Sequence, residues 1–281
     1  MLIFSVQILD STVTWYNWFR QKTTNNQETM PRTMLTDDTW RKLSQLLYQT
    51  GRVYKKPEHR LTLEGILYRM RTGCPWRDLP PDFGHWSAIF RRFNLWTKKG
   101  VLNLLFKYLS KDTDSEWLFI DGSIVRSHQH SCGAASDSDE AIGKSRGGNS
   151  TKIHLAVDSH GLPVHFELSA GHRHDVAYAE QLISSAPRSD YVVADKGYDS
   201  EALRAYVKSN GSIPVIPRKG NSKTGNQEID WCLYKYRHLV ENAFGRIKHF
   251  RGIATRYDKL QRNYAGMVAL AFAFVWLPMW V

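Results

Sequence analysis

Two aspartates stand at positions where an ionised carboxylate is costly. Asp121 interrupts the apolar run at residues 118–125, and Asp195 follows the apolar segment 191–194 and precedes a glycine turn. A buried carboxylate requires a compensating cation, and a divalent metal ion commonly supplies it in enzymes. We therefore predict that Asp121 and Asp195 share a metal site. A simple turn at Asp121 and Gly122 is the alternative interpretation of the first aspartate.

A third acid, Glu241, lies in a segment rich in cations and aromatic residues. Counted from Tyr234, the residues Arg237, Glu241 and Lys248 follow at spacings of 3, 7 and 14. At about 100° per residue, these four side chains fall within an arc of about 60° on one face of a helix. On an ordinary surface helix, Arg237 and Glu241 would form only a weak ion pair. Further cations nearby favour a phosphate-binding surface instead: Arg246, Arg251, Arg256 and Lys259.

Together these motifs resemble the transposases of bacterial insertion sequences, in the group that includes the insertion sequence 5 family and its insertion sequence 4-like relatives. The resemblance is carried by the signature Y-x2-R-x3-E-x6-K at residues 234–248, by FIDGS at 119–123 and by VVADKGYDS at 192–200. Longer blocks extend it over residues 30–279: TGCPWRDLP, SRGGNSTKIHLAVD and RHLVENAFGRIKHFRGIATRYDKL. The resemblance implies a transposase that binds terminal inverted repeats and catalyses metal-dependent DNA cleavage and strand transfer.

The resemblance also implies a role for each motif residue. Asp121, Asp195 and Glu241 match the catalytic triad, which binds two Mg²⁺ ions, with Mn²⁺ as a substitute. We expect Asp121 to bridge the ions, while Asp195 and Glu241 each hold one. The other residues of the signature would contact DNA near the scissile bond, two cations through phosphates and the phenol by stacking or hydrogen bonding: Arg237, Lys248 and Tyr234.

The elements that must position these residues change in character near residue 113. Before it, apolar residues recur at steps of three and four, which predicts amphipathic helices, and after it come short strand-like segments. We predict strands at 117–125, 152–157, 163–168, 191–194 and 213–216, and helices at 176–185, 200–209, 231–250 and 264–277. The fold class is therefore α/β, with a ribonuclease H-like mixed sheet that the resemblance implies. The predicted parts are an extension at 1–33, a helical DNA-binding domain at 34–115 and a catalytic domain at 116–281.

The helical part contains a candidate helix-turn-helix. Helices are predicted at 61–72 and 85–99, and an earlier helix is predicted to begin at Thr36 as its N-cap. The helix at 85–99 presents cations beside aromatic residues, so that one face can pack while another contacts DNA. The predicted DNA-contacting cations are Arg91, Arg92, Lys98 and Lys99.

Composition agrees with a nucleic-acid partner. The 281 residues carry 38 Lys plus Arg against 27 Asp plus Glu, a net charge of +11. The excess is concentrated in residues 30–115 and 210–262, as a protein that neutralises phosphates requires. The resemblance implies that this partner is double-stranded DNA, both transposon ends and target, bound by a homo-oligomer. The apolar run at 267–277 is too short to cross a bilayer and predicts a buried helix. Three cysteines without a paired spacing indicate a reducing, cytoplasmic compartment. The resemblance implies that this is the bacterial cytoplasm, at the nucleoid.

Other interpretations fit part of the sequence. A sequence-specific DNA-binding protein without catalysis would need only the helical part, but all three acids of the triad are present. A metal-dependent nuclease without strand transfer would use the same carboxylates. Spacings at His128, His130 and Cys132 match no standard zinc site, which makes structural zinc unattractive. Asp175 is expected to cap the helix at 176–185, or to face the active site.

Overall fold

The computed structural model describes residues 31–133, 140–220, 222 and 224–279. Residues 1–30, most of the predicted extension, lie outside the described residues. The N-terminal part is helical, as predicted. Its helices are α1 (Asp37–Gln49), α2 (His59–Thr72), α3 (Trp86–Lys98) and α4 (Val101–Leu109).

The start of α1 is fixed by two devices. The Thr36 side chain accepts a hydrogen bond from the backbone N–H of Thr39 at 3.2 Å, which confirms the predicted N-cap. The carboxylate of Glu64 in α2 accepts the backbone N–H groups of Met34 at 2.8 Å and Leu35 at 2.7 Å. Glu64 is buried, and burial raises the pKa of its carboxyl although both backbone N–H groups act to lower it.

We expect Glu64→Gln to lower the free energy of unfolding by about 1–3 kcal/mol. A glutamine has one acceptor oxygen, so one of the two buried N–H groups would face an amide NH₂ and lose its partner. Urea unfolding followed by circular dichroism measures the difference. Glu58→Gln is the matched control, because Glu58 is an exposed acid six residues earlier, at the N-cap of α2. An equal effect of the two substitutions would contradict the role given to Glu64.

The connection between α2 and α3 differs from a helix-turn-helix with its turn of three to four residues. Residues 73–85 join the helices and contain two 3₁₀ turns, Trp76–Asp78 and Pro81–Phe83. The first turn packs into the pair, since the Trp76 ring lies 5.1 Å from that of Phe93 in α3. The helix pair is present, while the connection that orients α3 is longer than the motif requires.

A mixed sheet follows in the chain. Its strands are β1 (Trp117–Ser127), β2 (Gly143–Ser145), β3 (Gly148–Val157), β4 (Pro163–Ala170), β5 (Tyr191–Ala194), β6 (Ile213–Val215) and β7 (Thr255–Arg256). The order is β2-β3-β1-β5-β6, with β4 paired to β3 and β7 to β1. Strand β1 is antiparallel to β3 and parallel to β5, so it lies at the centre of the sheet. The mixed α/β prediction is confirmed.

Helices cover the sheet on both faces. They are α5 (Val176–Ser185), α6 (Glu201–Ser209), α7 (Trp231–Tyr234), α8 (His238–Lys248), α9 (Arg251–Ala254) and α10 (Gln261–Trp276). Helices α5 and α6 pack on one face, where Leu182 and Leu203 join Ile120 and Val192 in one buried cluster. Helix α8 packs against β1 and β3. Leaving out the short β2, the acids then lie as the ribonuclease H-like prediction requires, on the first strand, after the fourth and on a later helix.

The apolar segment near the C-terminus forms the buried helix that was predicted. Almost all of α10 is buried, and it packs against α3, α4 and β4. Among the residues that the structure describes, no helix combines the length and the apolar character needed to span a bilayer.

The described residues from Thr33 onward form one compact unit. A buried ion pair links its helical part to the loop after β7: Arg69 of α2 donates to Asp258 through two nitrogens, at 3.2 and 3.3 Å. Both side chains are 5% exposed, and the Arg69 guanidinium also lies 4.4 Å from the centre of the Trp76 ring. The division into separate domains between residues 115 and 116 stays a prediction.

Candidate active site

The two aspartates are placed side by side by the parallel pairing of β1 and β5. In this pairing Ile120 lies opposite Ala194, so the next residues of the two strands, Asp121 and Asp195, are neighbours. Strand β5 ends at Ala194, and the Asp195 carboxylate accepts the N–H of Gly197 at 2.7 Å to begin a 3₁₀ turn. Both predicted acids therefore lie at the carboxyl end of the parallel part of the sheet, where α/β folds commonly bind ligands.

The surroundings of Asp121 disfavour the ionised form of its carboxyl group. Burial raises the pKa of the Asp121 carboxyl to about 6, and the negative charge of Asp195 acts in the same direction. A hydrogen bond of 2.8 Å from the N–H of Gly122 and the positive charge of Arg237 offset only part of this. The Asp121 carboxylate therefore lacks enough positive charge around it.

Glu241 is linked to Asp121 by Arg237, which donates hydrogen bonds to both carboxylates. Arg237 donates to Glu241 at 2.5 Å and to Asp121 at 3.4 Å, so that one guanidinium joins the first and third predicted acids. Although burial lowers the pKa of Arg237, the charges of Glu241 and Asp121 outweigh it and raise that pKa. The i, i+4 pair of Arg237 and Glu241 that the alternative interpretation describes is present, but Arg237 also contacts Asp121 on β1.

The segment 231–250 differs from the single helix that was predicted. Helix α7 ends at Tyr234, a 3₁₀ turn covers Lys235–Arg237, and α8 begins at His238. The 3₁₀ turn changes the spacing of side chains around the axis, so the single-helix arc does not describe Tyr234. Tyr234 packs edge-on against Trp231, with ring centres 5.6 Å apart, and Trp231 is 48% exposed.

Lys248 lies on the same side of the sheet. Its ammonium group donates to the hydroxyl of Ser123 at 2.5 Å, two residues beyond Asp121 on β1. Residues at alternate positions of a strand share a face, so Asp121 and Ser123 both point toward α8. Lys248 is half-buried, and burial lowers the pKa of its ammonium group. Three of the four signature residues, Arg237, Glu241 and Lys248, thus meet along β1.

One of the predicted phosphate contacts is wrong. Arg256 is completely buried, and its guanidinium donates to the backbone carbonyls of Asp258 and Ala141 and to the Thr151 hydroxyl. It therefore stabilises the fold and has no surface for DNA. Arg251 and Lys259 are exposed.

Asp175 also differs from its predicted role as a helix cap. It occupies the N-cap position of α5, but its side chain makes no capping hydrogen bond. Its carboxylate instead accepts from the Lys152 ammonium at 3.1 Å and lies 3.3 Å from the His154 ring. Burial acts to raise the pKa of Asp175, but His154 and Lys152 outweigh it and lower that pKa. Only alternation along β3 could have hinted at this cluster, because Lys152 and His154 share a strand face.

The donor set is suited to a divalent cation. Carboxylate oxygens are the ligands that Mg²⁺ and Mn²⁺ prefer, and the insufficiently compensated Asp121 offers them negative charge. Across the described part of the chain, no three His, Cys, Asp or Glu side chains are grouped closely enough to hold a metal ion together. Arg237 lies between Asp121 and Glu241 and occupies the position where a cation would neutralise both.

Two families match the chain in succession. Residues 35–106 match the family described as "Putative transposase of IS4/5 family", and residues 112–276 match the one described as "Transposase DDE domain". The second match spans more than half of the chain and includes Asp121, Asp195 and Glu241.

The chain is also similar to individual transposases. A putative transposase for insertion sequence element IS6501 from Brucella ovis is 39% identical over 131 residues, which are 45% of this chain and 98% of that protein. A putative transposase for element IS402 from Burkholderia cepacia is 30% identical over 120 residues, covering 39% of this chain and 54% of that protein. Among solved structures, a piggyBac transposase synaptic complex with hairpin DNA aligns with 98% of this chain and 73% of that one, at 12% identity and a TM-score of 0.46.

Proposed function

Since the chain belongs to the DDE transposase family, we propose that it binds the terminal inverted repeats of an insertion sequence and cleaves and joins DNA through Asp121, Asp195 and Glu241. The family accounts for a polynucleotidyl transferase that acts on DNA. The observation that supports this particular triad is the convergence of β1, β5 and α8, where Arg237 contacts two of the acids and the third neighbours Asp121.

The three carboxylates would hold two Mg²⁺ ions, with Mn²⁺ accepted in their place. When bound, such ions stabilise negative charge on the attacking and leaving oxygens of a phosphodiester and activate water or a 3′-hydroxyl. Glu241 can serve as a ligand only when its carboxylate is released from Arg237. The raised pKa of Asp121 supports this assignment, because a cation would offset the burial and the Asp195 charge that disfavour the Asp121 carboxylate.

The cations of the signature would then act on DNA. An Arg237 released from Glu241 lies close enough to the centre to donate to a phosphate oxygen beside the scissile bond. Lys248, held by Ser123 on β1, retains two further N–H donors for a neighbouring phosphate. Tyr234 would stack on a base or hydrogen-bond near the cleaved linkage, with Trp231 supporting its ring. No side chain has to form a covalent intermediate with DNA.

Helix α3 would add affinity outside the catalytic centre. Arg91 and Lys98 are exposed on it, Lys99 is exposed at its C-cap and Arg92 is half-buried, so all can approach a phosphate backbone. Both transposon ends must be brought together for insertion, and we infer that a homo-oligomer does this. We infer that it acts in the bacterial cytoplasm, at the nucleoid, where DNA substrates of this kind lie.

Lys98→Gln/Lys99→Gln should weaken binding to an end duplex and reduce the slope of log affinity against log salt by about two, because each phosphate contact releases about one counterion. Fluorescence anisotropy at several salt concentrations measures this slope. Lys107→Gln/Lys111→Gln removes the same charge from exposed positions outside α3 and is the matched control. Equal slopes for the two double variants would exclude α3 from the interface.

Cleavage and joining of a labelled duplex test the proposed function. The duplex carries the repeats that flank the gene, and the reaction contains Mg²⁺ and a target plasmid. Nicking at the repeat end followed by joined products is expected. Nicking without joining would instead favour a metal-dependent nuclease, and tight binding without nicking would favour a DNA-binding protein, two functions that the same residues permit.

A further inference from the structure

Behind Asp121, on the opposite face of the sheet, lies a second charged cluster that the proposed mechanism does not use. It consists of Asp175, Lys152 and His154. The side chains of Lys152 and His154 are 9% and 0% exposed, and that of Asp175 is 30% exposed. Charged groups so far from water require a reason, because their desolvation is costly.

The cluster is packed directly against the strand that carries Asp121. A side chain at Gly122 would collide with it, since a Cβ atom there would lie 2.0 Å from the Asp175 carboxylate and 3.3 Å from the Lys152 side chain. Glycine thus leaves the space that the Asp175 carboxylate fills. Asp175 is also among the groups whose negative charge raises the pKa of Asp121.

The hydrogen bonds show that the cluster is a fixed ion pair. The Lys152 ammonium donates to the Arg173 carbonyl at 2.8 Å as well as to Asp175 at 3.1 Å. The other Asp175 oxygen lies 3.3 Å from Nδ1 of His154, whose Nε2 is 2.8 Å from the Ser169 hydroxyl. His154 is held in place by stacking on Tyr178, with ring centres 4.3 Å apart. Lys152 therefore holds one Asp175 oxygen by a hydrogen bond, while the other oxygen faces His154 at ion-pair distance without a hydrogen bond, and the side chain caps no helix.

We propose that Asp175 and Lys152 are positioning residues that set the affinity of the centre for divalent cations through Asp121. The inference rests on the proposed function, because it requires a cation at Asp121. The Asp175 charge adds to the negative potential that a cation meets, and it neutralises an ammonium group that would otherwise repel that cation. Lys152 limits the same potential. Groups behind metal ligands commonly change metal affinity by about 10–100-fold.

The two charges predict opposite effects, which a purely structural role would not produce. Asp175→Asn should weaken the binding of Mn²⁺ about 10-fold, because it removes a negative charge and leaves the Lys152 ammonium unpaired. Lys152→Gln should tighten binding, because the Asp175 charge is then unopposed. The double variant Lys152→Gln/Asp175→Asn should return close to the wild type. Both substitutions keep the size and a hydrogen-bonding group of the original side chain.

Binding of Mn²⁺ to the full chain, followed by electron paramagnetic resonance of the free ion, tests this without any turnover. Glu180→Gln is the matched control, since it removes one exposed acid from the same helix, α5. Thermal unfolding of each variant in the absence of metal measures any structural effect separately. Weaker binding by both single variants, or no change in either, would overturn the proposal.

Asp121→Asn separates this inference from the proposed function. Wild-type binding that is lost in Asp121→Asn, together with unchanged binding in Asp175→Asn, overturns the role of Asp175 alone. Binding that persists in Asp121→Asn places the cation elsewhere and overturns both.

Discussion

Glu241→Gln is expected to lower the rate of DNA cleavage on the order of 10⁴-fold while DNA binding is retained, because a residue of a catalytic unit is removed without a change of shape. Glutamine keeps the length of the side chain and a hydrogen bond to Arg237, but it cannot supply the negative charge that a metal ligand requires. Single-turnover cleavage of an end duplex measures the rate, and anisotropy measures the affinity. Glu228→Gln, at an exposed acid earlier in the chain, is the control.

A specific result would contradict the role of Glu241 as a metal ligand. Cleavage by Glu241→Gln within a few-fold of the wild-type rate would show that the glutamate only pairs with Arg237, as an ordinary i, i+4 contact does. The third ligand would then have to be sought among the other acids near Asp121.

The second large effect concerns stability. Arg69→Met should lower the free energy of unfolding by about 3–5 kcal/mol, because it leaves the buried Asp258 carboxylate without its cation. Arg69→Met/Asp258→Leu should recover a large part of this loss, since an apolar pair leaves no buried charge. Chemical denaturation followed by tryptophan fluorescence measures each free energy.

The exposed pair of Arg41 and Asp38 provides the control for Arg69. Their side chains are 69% and 66% exposed, and Arg41→Met should change stability by less than about 1 kcal/mol. If Arg69→Met were equally mild, the ion pair with Asp258 would not hold the helical part against the loop after β7.

Much of the catalytic half could be predicted from sequence because its strands are short apolar segments with clear ends. The predicted strand at 191–194 and helix at 176–185 have the bounds found in the structure. Asp195 could be placed at the end of this strand because it directly follows the apolar segment 191–194 and precedes a glycine turn. Helix α4 was not among the predicted helices, although Gly100, with a φ of 66°, separates it from α3.

Three predictions about the catalytic half were wrong, one because of a local break in a helix and two because of contacts between distant parts of the chain. Helical periodicity does not detect a 3₁₀ turn, so the break at Lys235–Arg237 was invisible. The charge of Arg256 predicts a surface position, whereas the side chain is buried and donates to the Ala141 carbonyl and the Thr151 hydroxyl. Asp175 has the position of a cap, and only the packing of α5 on β3 brings it to Lys152. The burial of Arg256 and the ion-pair partner of Asp175 could therefore be seen only in the structure.

The most direct test of the account compares single-turnover cleavage by Asp121→Asn, Glu241→Gln and the variant that carries both substitutions. Residues that act as one catalytic unit lose their contribution together, so the double variant should be no more than a few-fold slower than the slower single variant. Losses that multiply in the double variant, with folding and DNA binding intact, would show that Asp121 and Glu241 act independently and would contradict a single catalytic centre.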